Sequence, residues 1–315
     1  MKASQVTVGI VQSGPVYLDL TKSLEKAEQL AKEAADKGVE LLVFGESWLS
    51  GYPAWLDHVP KAALWDYEPT KKVFANTWQN SIAIPGPDLD RLSNLAQQHQ
   101  LTLGIGINEK VEKGKGNGTI YNSLIMISHE GALINHHRKL MPTFTEKMVY
   151  GLGDGQGLKA VDTNSGRIGG LICWEHWMPL TRQALHNSGE QIHIALWPQV
   201  HEMLQIASRH YAFEGRCFVI SVGQVMRVSE LPDAFDLPID LADHPDRLLL
   251  NGGSSIIGPN GQYIMDPQYG KDELLVQTID LDQTLRERMT LDVSGHYARP
   301  DVFDFSVIKK ENGNR

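Results

Sequence analysis

Only two cysteines, Cys173 and Cys217, occur in 315 residues, which excludes a disulfide framework. No run approaches the roughly 18 apolar residues of a membrane span. The opening MKASQVTVGIVQSG carries one lysine and an apolar stretch too short for a signal peptide. Basic charge is in the minority: 29 Lys and Arg stand against 38 Asp and Glu, a formal charge of −9. That balance argues against a broad nucleic-acid-binding surface and says little about substrate. Linkers, repeats and low-complexity tracts are lacking. None of the 12 histidines falls in a metal-ligand spacing such as H-E-x-x-H. Leu103-Gly104-Ile105-Gly106 lacks the third glycine and the following helix of a dinucleotide site. Asn117-Gly118-Thr119 has the form of a glycosylation sequon, but in a reduced compartment it reads as a Gly-rich turn. These absences predict a cytoplasmic protein with no membrane or nucleic-acid partner.

What is present is ordinary globular material, 42% hydrophobic and 21% charged. A chain this long buries most of its apolar surface without staples. Residues 5–12 (QVTVGIVQ) and 39–44 (VELLVF) read as buried strands. Between them Leu20, Leu24, Ala27, Leu30, Ala31 and Ala34 recur at helical spacing, with Asp19 as cap and Gly38 as stop. This opening predicts parallel strands joined by a crossover helix. A helix over 88–100 and a strand over 101–107 follow. Hairpins are predicted around residues 129–131, 164–166 and 259–261. Helices over 179–186 and 201–214 alternate with strands over 192–197 and 217–223. A strand over 273–279 and a helix near 281–289 close the pattern. Hairpins and helical crossovers together predict mixed sheets in one α/β domain. Residues 227–248, with five aspartates and one glutamate, read as a surface excursion.

Three apolar strands each run into a chemically loaded residue. VELLVFG ends at Glu46, ALINHHR at Lys139 and RIGGLI at Cys173. Ligands bind at strand carboxyl ends in open α/β sheets, so strands sharing one sheet and one direction would bring the three side chains to one crevice. The chemistry is coherent. A thiolate is a nucleophile, an ammonium stabilises it, and a carboxylate takes its proton and then activates water. Each residue alone has a plainer reading. A cysteine at a strand end is commonly a small core residue, and Glu46 with Lys139 makes an ordinary salt bridge. The joint placement carries the argument.

The segments LLVFGESWLSGYP, HHRKLMPTFTE, ICWEHWMPL and YAFEGRCFVIS resemble the nitrilase superfamily of carbon–nitrogen hydrolases. The resemblance runs from about residue 5 to about residue 306. It implies a four-layer αββα sandwich of two mixed sheets flanked by helices, as one domain over 1–315. It also implies Glu46 as base, Cys173 as nucleophile, Lys139 as the cation, and Glu146 as a second, positioning glutamate. Cys173-Trp174-Glu175, Gly51-Tyr52-Pro53, Gly153-Asp154-Gly155 and Gly295-His296-Tyr297-Ala298-Arg299-Pro300 are similar to the nitrilase branch. Gly45 departs from the proline common in the family. The chain ends soon after Asp304, so the long filaments of longer-tailed members are not expected.

Other residues tempt a role. His176, three residues after the nucleophile, suggests a Cys–His dyad, against which the resemblance gives the base role to Glu46. Trp48, Trp55, Trp174, Trp177 and Trp197 suggest either an apolar pocket or core packing. Tyr52, Trp174, His176 and Trp197 are the expected substrate-binding residues. Cys217 sits in an apolar run and is expected to be inert. The expected activity is hydrolysis of an organic nitrile to acid and ammonia, without metal or organic cofactor. An amidase of the same superfamily and a catalytically silent assembly member are the alternatives. A homodimer or larger homo-oligomer is expected, paired through helices over 178–186 and 202–214.

Overall fold

The computed structural model describes residues 4–309. β1 (Gln5–Val11), α1 (Leu20–Asp36) and β2 (Leu41–Phe44) form the opening unit, with the two strands parallel. Asp19 caps α1 by accepting from the Lys22 N–H at 3.0 Å. α2 (Trp55–His58), α3 (Glu68–Gln79) and α4 (Pro87–His99) lead to β3 (Thr102–Lys110). The sequence pattern did not reveal α3. It buries Val73 and Thr77 alone, so its apolar stripe is too narrow to stand out. β4 (Ile120–Ile127) and β5 (Leu133–Arg138) make one predicted hairpin, and β6 (Val161–Thr163) and β7 (Gly166–Ile172) another. Then come α5 (Pro179–Asn187), β8 (Ile192–Leu196), α6 (Glu202–Gly215), β9 (Phe218–Val222) and β10 (Val225–Arg227). α7 (Ile239–Ala242), β11 (Leu248–Ile257), β12 (Tyr263–Tyr269), β13 (Leu274–Asp280) and α8 (Asp282–Arg288) complete the order.

Two mixed sheets result. The first runs β13-β1-β2-β3-β4-β5, and the second runs β10-β11-β9-β8-β7-β6 with β12 on β11. Period-two alternation sorts the side chains into layers. Val8, Ile10, Leu41, Val43, Leu124 and Met126 face the second sheet in a shared core. Their neighbours Val11, Leu42, Phe44, Ile125 and Ile127 face α1 and α4 instead. Leu185 of α5 and Leu204 and Tyr211 of α6 cover the second sheet from outside. The architecture is the αββα sandwich that the resemblance implied.

Glycine sets how close the sheets come. A Cβ on Gly104 would lie 2.6 Å from Ile194 Cδ1, and one on Gly170 would lie 2.6 Å from Leu124 Cδ2. Bare backbone at these two inward positions lets large partners interdigitate. Residues 227–248 are more than a surface excursion. Their five aspartates are exposed, but Val228, Leu231, Phe235 and Leu241 pack with Trp55 and Val73 in a third apolar cluster. The acidic count masked the irregularly spaced apolar residues among the aspartates.

Candidate active site

The direction of the strands decides where the reactive residues meet. β2 and β5 lie in the first sheet, whereas β7 lies in the second. The condition of one shared sheet is therefore not met, because Cys173 ends a strand of the other sheet. Convergence happens across the sandwich, because face-to-face packing brings the strand ends of both sheets to one edge. A carboxylate oxygen of Glu46, one of Glu146 and Cys173 Sγ lie within 4.8 Å of one another. Lys139 Nζ donates to Glu46 Oε1 at 2.8 Å and to Glu146 Oε2 at 2.7 Å. All four residues are buried. Two carboxylates and a sulfur would also make a plausible donor set for a metal. Here the ammonium of Lys139 already bonds both carboxylates, so it supplies the cation among them.

The family model for carbon–nitrogen hydrolases matches residues 7–287. The chain belongs to the carbon–nitrogen hydrolase family. This hydrolase is 38% identical over 309 residues to Nitrilase 2 of an unknown prokaryotic organism, covering 98% of this chain and 94% of that protein. It is 34% identical over 306 residues to a bifunctional nitrilase/nitrile hydratase of Nicotiana tabacum, covering 96% and 86% respectively. Its fold matches a carbon–nitrogen hydrolase from Helicobacter pylori G27 with a TM-score of 0.70 at 20% identity, covering 96% of this chain and 100% of that one.

The two carboxylates of the hydrolase are engaged differently. Glu146 is saturated: Oε1 accepts from Tyr52 OH at 2.9 Å, and Oε2 accepts from Lys139 Nζ at 2.7 Å and from the Thr143 N–H at 2.8 Å. Glu46 is not. Its Oε1 accepts from Asn122 Nδ2 at 2.7 Å and from Lys139, while the buried Oε2 has no partner among the described residues. Burial raises the Glu46 pKa, Lys139 pulls it down, Glu146 raises it again, and the balance is about 7. Burial would lower the Lys139 pKa, but the charges of Cys173, Glu46 and Glu146 hold it well above the ordinary lysine value. Burial and the Glu46 charge push the Cys173 thiol well up, against the opposing pull of Lys139. The resting sulfur is therefore a thiol, and of the two carboxylates Glu46 is the one with an oxygen that no described residue engages.

Local backbone explains these placements. Cys173 sits at φ +53° where β7 turns into a short 3-10 segment, so its side chain stands at the apex of a sharp elbow. The left-handed backbone costs a residue with a Cβ about 1–2 kcal/mol. Ser47 (φ +48°) and Phe144 (φ +41°) bend the segments that carry Glu46 and Glu146. Gly106 is not part of a phosphate loop. A Cβ there would lie 2.2 Å from Gly45 O and 2.9 Å from Glu46 Cα, so it lets the Glu46 loop rest on β3. The backbone of that loop is held by Gln224 Nε2, which donates to Glu46 O at 2.7 Å.

Of the expected substrate-binding residues, Tyr52 and Trp174 line a cavity of about 350 Å³ with Cys173 and Glu146. His176 and Trp197 do not reach it. Both are buried and stacked on each other at 4.6 Å. His176 Nδ1 donates to the Cys173 carbonyl at 2.6 Å and its Nε2 meets His193, so both ring nitrogens are engaged away from the sulfur, which removes the ground for a Cys–His dyad. Trp48 and Trp55 are buried in the core, leaving Trp174 as the one tryptophan of the five in the cavity wall. A larger hollow of about 780 Å³ beside Tyr17 and Glu230 contains no thiol. Cys217 is buried, and burial with the Glu190 charge pushes its thiol well up.

Two residues of the site were not singled out from sequence. Asn122 holds Glu46 Oε1 and accepts the Lys139 N–H at its carbonyl, 2.8 Å away. The available signal was a buried-parity amide inside the apolar run IYNSLIMI. Glu175 entered only as part of a motif. Its Oε1 accepts from the Leu140 N–H and its Oε2 from the Ile172 N–H, both at 2.8 Å. The His137 ring donates to the same carboxylate at 2.9 Å. Glu175 thus ties the residue after Lys139 to the residue before Cys173, across the two sheets.

Proposed function

We propose that this hydrolase is a nitrilase that converts an organic nitrile to its carboxylic acid and ammonia through covalent intermediates on Cys173. The observation that carries the reading is the division of labour between two carboxylates around one buried ammonium. Glu146 is saturated and fixes Lys139, while Glu46 keeps one oxygen open beside the thiol. Similarity to proteins named nitrilases, at 34–38% identity over nearly the whole chain, supports nitriles as the substrate class.

The steps follow from that arrangement. The thiol proton passes to Glu46 as sulfur attacks the nitrile carbon. The nitrogen then takes a proton, giving a thioimidate. Glu46, again ionised, removes a proton from water as water adds to the same carbon. The tetrahedral intermediate loses ammonia once its nitrogen is protonated, leaving a thioester. A second water, activated in the same way, releases the acid and restores the thiol. Lys139 and the Trp174 N–H, which already points at the sulfur, stabilise the charge that builds at each stage. A panel of paired nitriles and amides, followed by ammonia release, tests the reading. Turnover of amides alone would make the protein an amidase.

The same reading includes self-assembly. Leu180 of α5 and Met203, Ile206 and Phe213 of α6 are exposed on the outer layer. Such an apolar face suits a second copy of the chain. Among the described residues no helix is long and apolar enough to cross a membrane.

A further inference from the structure

Beneath Cys173 the second sheet buries a polar chain that the reaction above does not use. His176 Nδ1 meets the Cys173 carbonyl at 2.6 Å. His176 Nε2 meets His193 Nε2 at 3.0 Å. His193 Nδ1 meets Glu190 Oε2 at 2.9 Å. The three side chains are almost wholly buried, at 2%, 0% and 1% exposure, so no bulk water substitutes for these partners. The chain begins at a carbonyl and ends at a carboxylate, and both ends only accept. Three hydrogen bonds need three hydrogens. Two neutral imidazoles carry two, whichever tautomers they adopt.

We infer that this chain holds a third hydrogen, making His193 an imidazolium paired with Glu190, and that His193 and Glu190 are positioning residues that act through His176 on the Cys173–Trp174 peptide. The inference rests on the reading of Cys173 as nucleophile. Its physical basis is the planarity of one peptide unit. The Cys173 carbonyl and the Trp174 N–H belong to the same peptide and point in opposite directions. Holding the carbonyl to His176 therefore aims the N–H at the sulfur. The charge on His193, one ring behind the neutral donor His176, also polarises the chain and makes the Trp174 N–H a stronger donor. The elbow at Cys173 needs such a hold, since its φ of +53° is unfavourable for a residue with a side chain.

The surroundings fit a built chain. A Cβ on Gly169 would lie 2.3 Å from Glu190 Oε2, so the neighbouring strand is bare where the carboxylate sits. Tyr211 of α6 stacks on His193 at 3.7 Å and donates to Glu190 Oε1 at 2.5 Å. From α5, His186 approaches Glu190 at 3.4 Å and is itself tied to Glu214 at 3.2 Å. Arg182 donates to the His176 carbonyl at 3.1 Å and bonds Glu214, and Arg288 donates to the Glu190 carbonyl at 2.9 Å. Cys217 lies 4.0 Å from Glu190 Oε1. On either side of His193 in the sheet stand Gly169 and Val219, which carry no charge. Burial raises the Glu190 carboxyl, but His193 and His186 outweigh it and hold it at about 2. Burial and the His193 charge drive the His176 imidazole well down, so His176 is the neutral member.

Neutron diffraction on the wild-type protein at neutral pH tests the count directly and needs neither a substrate nor a variant. Deuterium on both His193 nitrogens is expected. A singly protonated His193 overturns the proposal. Kinetics test the role. Glu190→Gln can supply the third hydrogen from its amide, so it keeps the three bonds without a titrating proton. The wild type is expected to lose kcat on the alkaline side, where the extra proton leaves. Glu190→Gln should move that limb upward by about one pH unit or more. Identical alkaline limbs in the two proteins overturn the proposal. His193→Phe keeps the stacking on Tyr211 but breaks the chain. It should lower kcat about tenfold or more with KM changed less than about twofold. It should also slow alkylation of Cys173 by iodoacetamide to a similar degree. The alkylation arm needs no nitrile, so failure of the nitrilase reading would not be mistaken for failure of this one. Wild-type alkylation rates in His193→Phe overturn the positioning role.

Discussion

Glu175→Gln is the perturbation that best separates a site held by its two sheets from one held by its own ion pairs. Glu175 presents two oxygens to two backbone N–H groups, those of Leu140 and Ile172, and to the His137 ring. Glutamine has the same shape but one acceptor oxygen. Whichever way it turns, its NH2 faces a buried N–H. One unsatisfied buried donor costs about 1–3 kcal/mol, and loss of the charge-assisted bond from His137 adds about 1 kcal/mol. The variant should therefore lose roughly 2–4 kcal/mol, or about 4–8 °C in Tm for a protein of this size. Activity should fall too, by about tenfold or more in kcat, because the displaced donor adjoins Lys139 or Cys173. Thermal unfolding and steady-state kinetics on wild type and variant check both numbers.

The pH dependence supplies the sign. Burial raises the Glu175 carboxyl, but His137 and the two backbone donors outweigh it and hold it below the ordinary carboxylate range. A carboxyl lowered by folding contributes stability above its unfolded pKa, and that stability is lost as pH falls through the lower folded value. Glutamine has no such contribution to lose. The stability gap between wild type and variant should thus narrow in acid. A gap under about 0.5 kcal/mol at neutral pH with wild-type kcat, or a gap that widens in acid, would refute the clamp.

Cys173→Ala should abolish ammonia release from nitriles and leave the folded CD spectrum intact, whereas Cys217→Ala should keep most activity; ammonia assays on both decide whether Cys173 is the nucleophile. Glu46→Gln and Lys139→Ala should each lower the rate by several orders of magnitude, and the double variant should be little worse than either, as measured in single-turnover kinetics. The rate should fall as pH drops below about 7, because Glu46 must be ionised to act as a base and its carboxyl titrates at about 7; a rate–pH profile flat down to about 5 contradicts that role. Glu146→Gln should raise the amide fraction of the product or stop turnover, since Lys139 then loses the partner that leaves Glu46 free to protonate the departing nitrogen; chromatography of the products reads the ratio.

The parts of the fold legible in sequence were those with a strong period. α1 shows five apolar contacts at helical spacing behind an aspartate cap, and β1, β2 and β7 are short apolar runs between breakers. α3 escaped because two buried residues set no period. That Glu46, Lys139 and Cys173 would meet was legible because each ends a strand, and the structure brings the three together. The supports of the site were not. Asn122 and Glu175 act across long sequence separations, on Glu46 and on Leu140. Nothing local distinguishes such an amide or carboxylate from a solvated one. Gly106 shows the same limit. In sequence it belonged to a failed phosphate-loop motif, and only the approach of Gly45 O shows what its missing Cβ allows. Trp197 and His176 misled in the opposite sense. Proximity to the nucleophile in sequence suggested the pocket, but the elbow at Cys173 sends the chain away from it and buries both behind the sheet.

The depth of burial raises a question that the ion count answers. With both glutamates ionised, Lys139 protonated and Cys173 a thiol, the site carries one net negative charge away from water, which is costly. Moving the thiol proton to Glu46 leaves that net charge unchanged. It only relocates a negative charge from oxygen to sulfur, beside the same ammonium and the Trp174 N–H. Activation of the nucleophile therefore requires no new charge to enter the buried site. In the proposed reaction, attack on the nitrile would spread the sulfur charge onto nitrogen, and the proton stored on Glu46 would neutralise it there. For this exchange the thiol and the carboxyl must both be raised above their ordinary values, so that neither holds the proton too weakly for the other to return it. Burial does both at once: it pushes the Cys173 thiol up and brings Glu46 to about 7. Glu146 must stay out of the exchange, and its three donors occupy both of its oxygens and fix it. The same desolvation that makes the site expensive to fold thus raises both groups of the exchange above their ordinary values.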